Sequence, residues 1–196
     1  MSRYLSMGMD KFGPVCYNHA IDYERIGKCM SFSFLPRIVL DDPTQLTPLH
    51  LQRRNLRLLM LDFDNTIVPY TTSEPTAEMV AWLENMQKSG IQLCVVSNSH
   101  NERVQVFCQR WGLDCITEAG KPSTKGIREC LARYQVPAYQ AALMGDQIFT
   151  DTLGGNRAGV ATILVPPINN HNFWLKARHV LEKPFIHAAR FRRIIV

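Results

Sequence analysis

The stretch Leu58-Leu59-Met60-Leu61-Asp62-Phe63-Asp64-Asn65-Thr66 decides how the rest of the chain reads. A run of apolar residues too short for a typical helix leads directly into two aspartates one residue apart. Such a run, bounded by polar turn residues, fits a strand buried on both faces of a parallel sheet. Side chains two apart on a strand leave the same face. Asp62 and Asp64 are therefore expected together at the strand's carboxyl end, where open α/β sheets bind their ligands. Two carboxylates that close repel unless a cation or a shared proton neutralises them. The plainer alternative is that both aspartates start a turn, since Asp and Asn favour turns in any case. Residues further along must choose.

At 196 residues the chain holds one domain with a sizeable core. Its 46% hydrophobic and 20% charged residues are those of an ordinary globular protein. No apolar stretch reaches the length that crosses a bilayer, and the first residues lack the apolar core of a secretory signal. The six cysteines, Cys16, Cys29, Cys94, Cys108, Cys115 and Cys130, form no CxxC pair. They read as reduced core residues of a cytoplasmic protein, not as a zinc site or a disulfide frame. A net charge of +5 turns the partner list towards anions: phosphates, nucleic acid or an acidic membrane surface. No interleaving of aromatic and basic residues suggests a nucleic-acid groove, and none is expected.

Residues 1–33 show no clear periodicity and are expected to be a poorly ordered or extra segment, with Met30 as a candidate natural start. Residues 34–196 are expected to form a single domain. It opens on an extended lead-in and a short helix with Thr47 as cap and Pro48 in the first position. From Leu56 strands and helices alternate, the signature of a parallel α/β sheet. Helices are predicted over Pro75–Ser89, then with Val104, Phe107, Cys108 and Trp111 on one face, then with Ile127, Cys130, Leu131 and Tyr134 buried, and finally around Thr150–Ala158. Further strands are predicted at Ile91–Val96, Leu113–Thr117, Ala141–Met144 and Ala161–Val165, making five in all. The tail from Phe173 carries an apolar stripe and a basic face (Lys176, Arg178, Lys183, Arg190, Arg192, Arg193). It reads as a last helix packed on the sheet, or as an element that touches anionic lipid headgroups.

Three more strand ends carry polar residues that suit chemistry. The second strand ends in Val96-Ser97-Asn98, the third is followed by Gly120-Lys121-Pro122, and the fourth ends in Gly145-Asp146 with Asp151 beyond. Each alone has a dull explanation as a helix cap or a surface residue. Jointly they gather a hydroxyl, an ammonium and an acidic pair on the rim that holds Asp62 and Asp64.

The ordered set Asp62-Phe63-Asp64-Asn65-Thr66, Val96-Ser97, Lys121 and Gly145-Asp146 to Asp151 resembles the haloacid dehalogenase superfamily of phosphotransferases. More narrowly, Ser97-Asn98-Ser99-His100-Asn101-Glu102-Arg103 and the run from Gly145 to Gly159 are similar to subclass IIIA phosphatases of the YqeG type, themselves similar to phosphatidylglycerophosphate phosphatases. The resemblance implies a three-layer Rossmann-like fold. It implies Asp62 as nucleophile, Asp64 as general acid and base, and Ser97, Asn98 and Lys121 on the phosphoryl group. Mg2+ would be held by the Asp62 and Asp146 carboxylates and the Asp64 backbone carbonyl, with Thr66 and Asp151 in support. The insertion points after Asp64 and before Lys121 are too short for a large cap domain, so an open site is expected. The implied substrate is a phospholipid headgroup at the inner membrane face. A soluble phosphomonoester, or a non-catalytic binding role on the same shell, is the alternative. Oligomeric state is left open.

Overall fold

The strand at the centre forms because Leu58–Leu61 can bury both of its faces at once. The structure, a computed structural model, describes residues 33–168 other than Ser73 and Asn101, together with 184–186. In chain order it contains β1 (Ile38–Val39), α1 (Pro48–Gln52), β2 (Leu58–Leu61), α2 (Ala77–Lys88), β3 (Gln92–Val96) and α3 (Glu102–Trp111). There follow β4 (Asp114–Ile116), α4 (Lys125–Tyr134), β5 (Ala141–Gly145), α5 (Leu153–Ala158) and β6 (Ala161–Leu164). The strands form one sheet in the order β1-β6-β5-β2-β3-β4, all parallel.

Alternate strand residues sort into two cores, one on each face. Leu59, Leu61, Leu93, Val95, Ala142 and Met144 join the face covered by α2 and α3, with Trp82, Met86 and Phe107. Leu58, Met60, Cys94, Val96 and Leu143 join the face covered by α4, with Ile127 and Cys130. The result is the three-layer α/β architecture expected from the sequence. Cys94, Cys108 and Cys130 are buried, and no disulfide occurs among the described residues. No helix of the described residues is long and apolar enough to cross a membrane.

The sheet has six strands where the sequence suggested five. The extra one, β1, lies in the lead-in and pairs Ile38 with Ile163 and Val39 with Leu164. Two residues are too few to show an alternation, so nothing local announces them. What holds them is the open edge of β6: Arg37 N–H donates to the Thr162 carbonyl and Leu40 N–H to that of Leu164, each at 3.0 Å. The Thr47 cap and Pro48 start of α1 are as expected, with the Thr47 hydroxyl accepting from His50 N–H. The helix predicted near Thr150–Ala158 is in two parts. A wide π-type turn, Ile148–Thr152, precedes α5.

The lead-in is fastened by Asn156 on α5. Its buried side-chain amide donates to the carbonyls of Ser33 and Leu35, and its oxygen accepts from Thr162 Oγ1 at 3.1 Å. Phe34 then lies 5.7 Å, ring to ring, from Phe149 in the wide turn and 5.4 Å from Phe185. The candidate start at Met30 lies outside the described residues, as does the basic tail apart from a single helical turn at 184–186.

Replacing Asn156 with alanine strands two carbonyls and a hydroxyl without their partner. A loss of roughly 1–3 kcal/mol is expected in urea unfolding, the cost of leaving buried polar groups unsatisfied. Limited proteolysis should then cut sooner near Pro36.

Candidate active site

After β2 the chain runs outward through β3 and β4, then returns to place β5 on the other side of β2. That reversal leaves a crevice at the carboxyl ends of β2 and β5, where α/β sheets take ligands. Asp62 N–H donates to the Met144 carbonyl at 2.8 Å, which prolongs the β2–β5 ladder by one bond. Asp62 and the Gly145-Asp146 strand end are thereby set side by side.

Asp62, Asp146 and Asp151 are all buried, and each offers a carboxylate oxygen within 4.8 Å of the others. Asp151 reaches them because the wide turn brings it back over Gly145. A side-chain carbon built on Gly145 would lie 2.7 Å from the Asp151 Cβ, so only glycine leaves room there. Turns of this π type recur at functional sites. Gln147 N–H donates to Asp151 Oδ2 at 3.2 Å and fixes the carboxylate.

Lys121 enters from beyond β4 and ends inside this cluster. Its ammonium lies 2.6 Å from Asp62 Oδ1, 2.6 Å from the Val96 carbonyl and 2.7 Å from Asp151 Oδ1. The Asn98 side chain clamps the Lys121 backbone from both sides: Nδ2 donates to its carbonyl at 2.8 Å, and Oδ1 accepts from its N–H at 2.7 Å. That amide, expected on a phosphoryl group, is thus engaged in placing Lys121. Ser97 is buried at the end of β3, with Oγ accepting from Ser99 N–H at 3.1 Å. Thr66 is buried beside the nucleophile candidate, its hydroxyl 3.5 Å from Asp62 Oδ2.

Asp64 goes another way. The chain turns at once through Asn65, whose φ of 62° is left-handed and tolerable for asparagine. Asn65 Oδ1 accepts from Tyr70 N–H at 3.1 Å, and its carbonyl accepts from Ile168 N–H at 2.9 Å. The Asp64 carboxylate pairs with Arg103 on α3. Where a cation or a shared proton was expected to offset the pair, the Lys121 ammonium meets Asp62 and the Arg103 guanidinium meets Asp64. Sequence reasoning missed Arg103, Asn65 and the close approach at Gly145. Arg103 entered the sequence reading only as the end of the run from Ser97, with no role of its own.

Burial is the largest influence on Asp62 and pushes its carboxyl up to about 7; Lys121 opposes this and Asp151 adds to it. Burial also raises Asp64 above the ordinary carboxylate value, against the pull of Arg103. Burial tends to lower Lys121, but Asp151 and Asp62 outweigh it and hold the ammonium above the usual lysine range. Three carboxylates against one ammonium leave the cluster short of positive charge, and its oxygen donors are hard. The site fits a divalent cation.

A family model for haloacid dehalogenase-like hydrolases matches residues 65–165, just over half of the chain. The chain belongs to that family. Among curated proteins, "Probable phosphatase YqeG" of Bacillus subtilis (strain 168) is 32% identical over 158 residues, covering 80% of this chain and 92% of that protein. The phosphatase class expected from the motifs agrees with both findings. A solved structure of an uncharacterized protein from Listeria monocytogenes serotype 4b gives a TM-score of 0.48 at 16% identity, over 65% of this chain and 99% of that one. The cobalt-bound deoxy-D-mannose-octulosonate 8-phosphate phosphatase from Haemophilus influenzae gives 0.46 at 12% identity, over 69% and 90%.

The raised carboxyls set a pH signature for the metal-free protein. A carboxyl whose folded pKa lies above its unfolded value contributes stability at low pH and loses it as pH rises. For Asp62 that window runs from 3.8 to about 7, and Asp64 acts in the same direction. In EDTA, the melting temperature of Asp62→Asn relative to wild type is expected to climb across this window. A divalent cation should raise the wild-type melting temperature most above pH 7. Parallel melting curves for the two proteins would contradict this.

Proposed function

We propose that the protein is a Mg2+-dependent phosphomonoester hydrolase that works through an aspartyl-phosphate on Asp62. One observation carries the reading: the Asp62 carboxylate is aimed into a rim cluster with Lys121, Asp146 and Asp151 and held there by the Lys121 ammonium. Unaided phosphate monoesters hydrolyse extremely slowly, so charge on the transferring group must be stabilised strongly. Asp62 attacks phosphorus, an oxygen–phosphorus bond forms, and the bond to the ester oxygen breaks. Asp64 gives the departing alkoxide its proton. It then takes a proton from water, which attacks the same phosphorus and releases Asp62 and inorganic phosphate.

Lys121 and the Ser97 hydroxyl hold the phosphoryl oxygens, with Asn98 keeping Lys121 in place. The Asp62 and Asp146 carboxylates and the Asp64 carbonyl would hold Mg2+, which offsets repulsion between the nucleophile and an anionic substrate. Asp151 keeps Lys121 aligned, and Thr66 braces the loop.

Phosphatidylglycerophosphate is the proposed substrate, by resemblance to its phosphatases and by the open site. Among the described residues, the chain between β2 and β3 holds one helix and that between Ser97 and Lys121 only α3 and β4, so neither insertion forms a cap over the rim. An open rim suits a phosphate presented on a surface, and the net charge of +5 favours an anionic one. The protein would then act in the cytoplasm, peripheral to the membrane.

Asp62→Asn is expected to lower kcat by several orders of magnitude, on the scale seen when a covalent nucleophile is removed, while its circular dichroism stays native. EDTA should silence the wild type and Mg2+ restore it. Retained turnover in a folded Asp62→Asn protein would exclude the covalent route. In a second assay, phosphate release from mixed micelles of phosphatidylglycerophosphate is compared with a panel of soluble esters. A higher kcat/KM for the micelles is expected; preference for a soluble ester would reassign the substrate and leave the chemistry standing.

A further inference from the structure

The proposed chemistry leaves one cation at the site without a task. Arg103 projects from the first turn of α3, and its side chain is only 19% exposed. One terminal nitrogen, Nη2, meets Asp64 Oδ1. The other, Nη1, donates to the carbonyls of Tyr70 and Thr72, each at 2.9 Å. The guanidinium carbon sits 5.1 Å from the Phe63 ring centroid and 5.9 Å from that of Tyr70. Phe63 is itself fully buried and packs edge-on against Phe107 of α3, 5.2 Å between centroids. One planar group is thus held by a carboxylate, two main-chain carbonyls and two rings. A surface ion pair that merely decorates a helix has none of this fixation and contributes little. The rigid fork of arginine suits the arrangement, and a lysine could not reproduce it.

We propose that Arg103 is a positioning residue that sets the orientation of the Asp64 carboxylate for proton transfer while fastening the Tyr70–Thr72 loop to α3. The inference rests on Asp64 acting as the general acid. An aspartate side chain turns about two bonds, and proton delivery demands placement to a fraction of an ångström. The chain folds back beside the Asp64 backbone, which bridges Val68, and the carboxylate itself is met from α3 by Arg103. With Oδ1 on Arg103, Oδ2 is the oxygen that carries the proton to the leaving group. A purely structural role would fix the loop and leave proton delivery indifferent to the residue.

The test separates the two roles by leaving group. An alkoxide needs a proton as it departs, whereas p-nitrophenolate does not. kcat/KM is measured with Mg2+ for glycerol 3-phosphate and p-nitrophenyl phosphate in wild type, Arg103→Met, Arg103→Lys, Asp64→Asn and the Asp64→Asn/Arg103→Met double variant. The alkyl-to-aryl ratio should fall about tenfold or more in Arg103→Met, as a small misplacement of a catalytic group implies. It should fall less in Arg103→Lys, which keeps a cation for Asp64 and carries the test if the methionine variant does not fold. In the Asp64→Asn background the ratio should no longer respond to Arg103. An equal loss on both esters in Arg103→Met, or the same change of ratio without Asp64, would overturn the proposal. If Asp64→Asn itself leaves the ratio untouched, the general-acid assignment fails, and that is read from a variant in which Arg103 is intact.

Discussion

The active rim depends on a single buried ammonium. Lys121 replaces its lost hydration with the Val96 carbonyl and the carboxylates of Asp62 and Asp151, all within 2.7 Å. A charge taken out of water is tolerable only when its hydrogen-bonding capacity is filled in this way. Those three partners come from β2, from β3 and from the turn after β5, so the ammonium is also a mechanical tie between neighbouring strand ends. Its position is secured in turn by the paired amide contacts of Asn98. The same group that bridges the two carboxylates is the one that meets a phosphoryl oxygen in the proposed reaction.

Much of this was legible in the sequence, and for a physical reason. Strands buried on both faces must be apolar throughout, so Leu58–Leu61 and Ala141–Gly145 announce themselves, and the residues that follow them fall on one rim. Asp62, Ser97, Lys121, Asp146 and Asp151 could therefore be placed by counting from strand ends, without any knowledge of contacts. The features that escaped are those fixed by distant partners. β1 is a strand only because β6 offers an edge, and Asn156 matters only because the lead-in lies across it. Arg103 belongs to the same class: its partners are 31 to 39 residues earlier in the chain. Local pattern cannot reveal a group whose significance lies in what folds over it.

The two aspartates meet different charged partners. Beyond the end of β2 at Leu61, the Asp62 carboxylate meets the Lys121 ammonium and that of Asp64 meets the Arg103 guanidinium on α3. Each acid acquires its own electrostatic environment: Asp62 is enclosed and dominated by burial, while Asp64 is partly open to solvent and faces a guanidinium. Pushing two chemically identical side chains into unlike surroundings is how one site can hold a nucleophile and a proton carrier together.

The margins of the sheet carry a consequence of their own. Among the described residues it is bounded by β1, two residues long, and β4, three residues long. β4 also bears the exposed Asp114, which accepts from the Tyr134 hydroxyl at 2.6 Å. A foreign strand seeking to extend the sheet would find almost no ladder to join, and at one margin a charge in the way. With the longer strands of the described sheet all interior, its two margins offer little for edge-to-edge self-association to build on.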